Sequence, residues 1–133
     1  MGHIGLTPQS YHRMGGNKVQ GRREGAHAGS RTRIFEDAHA IEEAGVCAFV
    51  IEAVPADLAR QITTAAGVPT IGIGAGVRCD GQVLVLHDLL GLSERSFTFA
   101  KAYSNLRQLS LNAVSEYVSD VQNRRFPDST NSF

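Results

Sequence analysis

The sequence has no tryptophan, only two cysteines and no excess of either charge. Each shortage excludes something. Thirteen Lys+Arg balance thirteen Asp+Glu, so the basic surplus of a nucleic-acid binder is missing. Two cysteines in 133 residues make no disulfide framework, and free thiols suit a reducing, cytoplasmic compartment. The longest apolar runs are a few residues, far from the ~20 needed to span a bilayer. Met1-Gly2-His3-Ile4-Gly5 has neither a basic stretch nor an apolar stretch of signal-peptide type. No Cys-x-x-Cys, His-Glu-x-x-His or Gly-x-Ser-x-Gly pattern occurs, so no metal ligands are assigned. No partner of nucleic-acid or membrane type is expected.

What remains is ordinary globular composition, 42% hydrophobic and 20% charged with 14 glycines, and a length of at most one domain. Residues 1–30 are Gly-rich and aperiodic, with His3, Gln9, Lys18, Gln20 and Arg22 interleaved. That pattern reads as a functional loop region. Ile34, Ala38 and Ile41 then recur at helical spacing, predicting a helix over 30–44 stopped by Gly45. Val46-Cys47-Ala48-Phe49-Val50-Ile51 follows as a strand buried on both faces, with Cys47 inside it. Pro55 opens a second helix over 56–66, which Gly67 ends. Strands are predicted at 68–73 and 82–86, the second after an Asp80-Gly81 turn. A last helical region is predicted over 96–123.

This order implies an α/β fold with a parallel sheet. A doubly wound sheet and part of a β/α barrel both satisfy it, and both place ligands at the C-terminal ends of the strands. Glu52 stands at such an end, directly after six apolar residues. A carboxylate there is a candidate general base near neutral pH; a helix cap or an ion pair with an arginine is the plainer alternative. Ile71-Gly72-Ile73-Gly74-Ala75-Gly76 lacks the dinucleotide fingerprint. It fits close packing or backbone contacts to an anion. His87-Asp88 follows a strand but is weak evidence for a metal.

Several segments together resemble one family. They are Met1-Gly2-His3-Ile4-Gly5-Leu6-Thr7-Pro8-Gln9-Ser10, Gly15-Gly16-Asn17-Lys18-Val19-Gln20-Gly21-Arg22 and Ile51-Glu52-Ala53-Val54-Pro55, with Thr70 to Gly76 and Asp80 to Val85. In this order and spacing they resemble ketopantoate hydroxymethyltransferase. The resemblance implies an eight-stranded TIM-type β/α barrel. It further implies hydroxymethyl transfer from 5,10-methylenetetrahydrofolate to 3-methyl-2-oxobutanoate, giving 2-dehydropantoate for pantothenate synthesis. Glu52 matches the family's general base and His3 a histidine that contacts the keto acid. Mg²⁺ and the folate co-substrate are implied as well, as is a ring-based homo-oligomer.

Two departures stand out. Such a barrel needs at least ~200 residues, and the family's Mg²⁺ ligands and keto-acid lysine lie upstream of anything matched here. The chain therefore reads as residues 1–133 of a C-terminal half barrel, with 1–30 as its active-site loop region and 96–133 as its C-terminal helix and tail. Met1 reads as an internal methionine of a longer protein. A half barrel calls for a partner, either the missing N-terminal half or another copy of itself. The alternative functional reading is a non-catalytic truncated half-barrel subunit. A third is an anion-binding α/β module built on Gly72 to Gly76.

Overall fold

A computed structural model describes residues 1–24, 29–95 and 97–133. Two compact units emerge, Met1–Val83 and Leu84–Phe133. The first holds strand β1 (Gly2–Gly5), helix α1 (Arg31–Glu43), β2 (Phe49–Glu52), α2 (Ala56–Ala65), β3 (Thr70–Ile73) and β4 (Gly81–Gln82). The second holds helices α3 (Leu86–Leu89) and α4 (Leu106–Gln122).

Local chemistry sets the element limits. The Ser30 hydroxyl accepts the Arg33 N–H at the start of α1, a standard N-cap. Gly45, at φ +83°, ends α1 in the left-handed conformation that costs glycine nothing. Pro55 precedes α2, and its missing N–H is one the helix start does not need.

The four strands are parallel and lie in the order β1-β2-β3-β4. A doubly wound sheet reverses its strand order at a switch point; this sheet does not. Ile4, Phe49 and Ile51 share one core with Ile34 and Ala38 of α1 and with Leu58, Ala59 and Ile62 of α2. Both helices therefore cover the same sheet face. Along β2, Phe49 and Ile51 are fully buried while Val50 and Glu52 are half-buried, and β3 alternates likewise. The expectation of strands buried on both faces is thus corrected. Among the described residues of the first unit only one face has helices to pack against, and side chains alternate between the two.

Three further expectations change. Cys47 is exposed, because β2 begins only at Phe49. The apolar run 82–86 is not a strand beyond Gln82: Val83, Val85 and Leu86 are exposed, and Leu86 begins α3. Hydrophobicity alone does not make a strand without a neighbour to pair with. The helix predicted over 96–123 begins at Leu106, where Asn105 accepts the Gln108 N–H. Residue 96 lies outside the described residues. The apolar stripe Leu111, Val114, Val118 and Val121 is exposed.

The Asp80-Gly81 turn also anchors β3. Asp80 Oδ2 accepts the backbone N–H and the hydroxyl of Thr70, at 2.8 and 3.0 Å. The fully buried Thr70 hydroxyl is in turn 2.9 Å from that of Thr63 in α2. These Thr70 hydrogen bonds hold the Asp80 carboxyl below the usual carboxylate range. A carboxyl depressed in the folded state stabilises fully above its unfolded pKa of about 3.9. The contribution disappears as pH falls through the lower folded value. Asp80→Asn should therefore lower the urea midpoint at pH 7, and the difference from the parent should shrink as pH drops below about 4. Urea titrations at the two pH values measure this.

Candidate functional site

β1 and β2 bring the two sequence candidates together. Gly5 is in register with Glu52, and His3 with Val50. His3 Nε2 lies 3.0 Å from Glu52 Oε2. Both side chains are half-buried, with 30% and 21% of their area exposed. An ionised carboxylate only accepts hydrogen bonds, so the ring donates through Nε2–H. Among the described residues no arginine or lysine forms an ion pair with Glu52, which removes the arginine alternative. Glu52 is the last residue of β2, four positions before α2 begins, so it caps no helix. His3 lies inside β1 and not beyond a strand end.

The backbone around Glu52 is unusual. Ala53 has φ +50°, a left-handed conformation that costs a residue with a Cβ on the order of 1 kcal/mol. Three hydrogen bonds hold it there. Glu52 C=O accepts Leu6 N–H at 2.9 Å, Ala53 N–H donates to Ile73 C=O at 2.9 Å, and Ala53 C=O accepts Gln20 N–H at 2.8 Å. Gly5, at φ +85°, must approach this turn closely: a Cβ there would stand 2.1 Å from the Glu52 carbonyl oxygen. The Ala53 torsion did not stand out in the sequence; Gln20 did so only as one of the polar residues interleaved with the loop glycines, with no sign of its contact with Ala53.

Two cavities lie nearby; His3 lines one of them, and Glu52 is among the lining residues of neither. One, of about 520 Å³, runs beside β1 and α1 and is lined by His3, Thr7, Gln9, Arg13, Gln20 and Arg33 among others. The second, of about 470 Å³, lies past the strand ends and is lined by Val19, Arg22, Arg31, Val54, Asp57 and Gly74 among others. In it Arg31 is committed to Asp57 and also meets Glu24. The glycine-rich end of β3 serves close packing, because a Cβ on Gly76 would lie 2.4 Å from the Ala56 Cβ. Asp88 accepts the Ser93 hydroxyl at 2.6 Å within the second unit, so the His87-Asp88 pair is a local loop tie. His39 is exposed and packs edge-on against Phe35. His27 lies outside the described residues. No described helix is long and apolar enough to cross a membrane.

A half-buried carboxylate joined to an imidazole at the C-terminal end of a parallel strand defines a strand-end site of an α/β protein. The chain belongs to the ketopantoate hydroxymethyltransferase family, whose profile matches residues 1–129. It is 56% identical over its whole length to a 3-methyl-2-oxobutanoate hydroxymethyltransferase of Trichlorobacter lovleyi, covering 48% of that protein. A protein of the same name from Geobacter metallireducens is 54% identical, with 49% of it covered. Another, from Caldivirga maquilingensis, is 53% identical over 96% of this chain and 46% of the relative. The chain thus spans about half the length of the curated relatives it matches.

Proposed function

We propose that this chain is half of a TIM-type barrel and supplies the general base for hydroxymethyl transfer to 3-methyl-2-oxobutanoate. The observation that carries this reading is the Glu52–His3 pair, 3.0 Å apart between the end of β2 and the interior of the neighbouring parallel β1, in a member of this family. Glu52 takes the proton from the methine carbon beside the ketone. Water adds to the bridging methylene of 5,10-methylenetetrahydrofolate, and both its C–N bonds break to release tetrahydrofolate and formaldehyde. The enolate adds to the formaldehyde carbon, the C=O π electrons pass to oxygen, and the alkoxide takes up the proton that Glu52 removed, giving 2-dehydropantoate. His3 holds the carboxylate and reaches the keto acid. A base positioned in a half-dry site contributes roughly 10²–10⁴-fold.

The chemistry Mg²⁺ would supply if bound is Lewis-acid polarisation of a carbonyl. The donor set of this chain does not fit that ion. Among the described residues no three His, Cys, Asp or Glu side chains converge, and the neighbour of Glu52 is an imidazole, not a second carboxylate. No step is assigned to the metal here.

The unreversed strand order and helices on one face support the barrel reading, in which the other face points to the barrel axis. β1 and β4 end the sheet, leaving two parallel rims for the remaining half of the barrel or another copy. A cytosolic setting fits the two unbridged thiols, Cys47 and Cys79.

The test is complementation. The chain should be inactive alone and active when co-produced with the portion of the Trichlorobacter lovleyi relative that it does not match, read as Mg²⁺-dependent formation of 2-dehydropantoate. Stable assembly of the two parts without turnover would overturn the catalytic reading in favour of a non-catalytic subunit.

A further inference from the structure

The turn after Glu52 is held by three chain segments, and two of them are expected extensions of the sheet. Leu6 follows β1 and Ile73 ends β3, so their bonds to Glu52 and Ala53 continue the strand ladders. The third, Gln20 N–H to Ala53 C=O at 2.8 Å, comes from the glycine-rich loop, outside the sheet. It is also the bond that fixes the far side of the left-handed residue, since it grips the carbonyl that a change in the Ala53 torsion would swing.

Gln20 is built to stay in place. It is polar yet only 7% exposed. Its side-chain Nε2 donates to the Lys18 carbonyl at 2.8 Å, closing a tight turn that aims its own N–H at Ala53. Its Oε1 occupies the space a side chain at position 29 would need, since a Cβ on Gly29 would come within 2.2 Å of it. Gly21 N–H donates to Gly29 C=O at 2.7 Å, so the two sides of the loop close around the amide. Gln20 also lines the cavity that His3 lines. It forms no hydrogen bond to the Glu52 carboxylate or to His3.

We infer that Gln20 is a positioning residue: its loop clamps Ala53 in the left-handed conformation, and that kink directs the Glu52 carboxylate onto His3. The inference rests on Glu52 as the base. Without the clamp Ala53 relaxes toward ordinary extended torsions, and the carboxylate is no longer aimed by its own backbone. Misplacement of a catalytic group lowers turnover more than substrate affinity.

The test uses the complemented enzyme and follows deuterium exchange at the methine carbon of 3-methyl-2-oxobutanoate by proton NMR. Gln20→Ala, and Gln20→Glu, which keeps the length but loses the donor, should each lower kcat about tenfold while KM stays within about twofold. Unchanged kcat, or a loss carried by KM, would overturn the inference while leaving Glu52 as the base. Absence of exchange in the unsubstituted enzyme would overturn the base assignment, and this inference with it. Should both variants fail to fold, amide hydrogen exchange on the unsubstituted chain decides. Protection of the Gln20 amide comparable to that of Ala53 is expected, and a freely exchanging Gln20 amide contradicts the clamp.

Discussion

Glu52→Gln should lower deuterium exchange at the methine carbon of 3-methyl-2-oxobutanoate by roughly 10²–10⁴-fold in the complemented enzyme, with KM little changed. At 1.36 kcal/mol per tenfold, that is about 3–5 kcal/mol of lost transition-state stabilisation. The amide has the shape of the carboxylate but no basicity, so substrate still finds the same walls. Folding should survive, because the Glu52 side chain is only half-buried, with 21% of it exposed. Its packing contribution is small beside that of its neighbours Phe49 and Ile51, which no solvent reaches. Equal urea midpoints together with the lost exchange separate chemistry from stability. A variant that keeps its exchange rate removes Glu52 from the reaction.

The opposite pattern is expected at Phe49. Its ring is 0% exposed and is packed among residues of β1, α1 and α2. Phe49→Ala removes the largest fully buried side chain of the core and leaves a void in it. Such truncations cost about 3–5 kcal/mol, set against a total stability of about 5–15 kcal/mol for a domain. The urea midpoint should fall sharply or the cooperative transition vanish. Ile62→Val, at a site 1% exposed in the same core, trims one methylene and should cost only about 0.5–1.5 kcal/mol. A Phe49→Ala loss no larger than that of Ile62→Val would show that the core relaxes more freely than this packing implies.

The elements legible in the sequence are those whose limits are written locally. Ser30, Gly45, Pro55 and Gly67 punctuate α1 and α2, and the apolar runs before Glu52 and Gly74 mark β2 and β3. β1 was not legible as a strand: Gly-His-Ile-Gly has little intrinsic preference, and it is a strand because β2 pairs with it. The run 82–86 shows the converse: pairing with β3 stops after Gln82 and the Val83 N–H bond to Gly72, and the apolar residues beyond it do not extend the strand. Glu52 could be picked out because an acid at the end of an apolar run is rare. Its contact with His3 could not, since it joins residues 49 apart and exists only through the β1–β2 register. The family resemblance linked both residues to one reaction without saying that they touch. Asp80 was readable as a turn, but its grip on Thr70 depends on where β3 begins.

The torsion at Ala53 has a consequence for how this protein tolerates change. The position following Glu52 is filtered by dihedral angle and not by polarity or size alone. Glycine, asparagine and aspartate enter that angular region readily, whereas valine, isoleucine and threonine pay heavily for it. A saturation library there would sort by backbone geometry, with the branched residues depleted first, however well their volume matched alanine's surroundings.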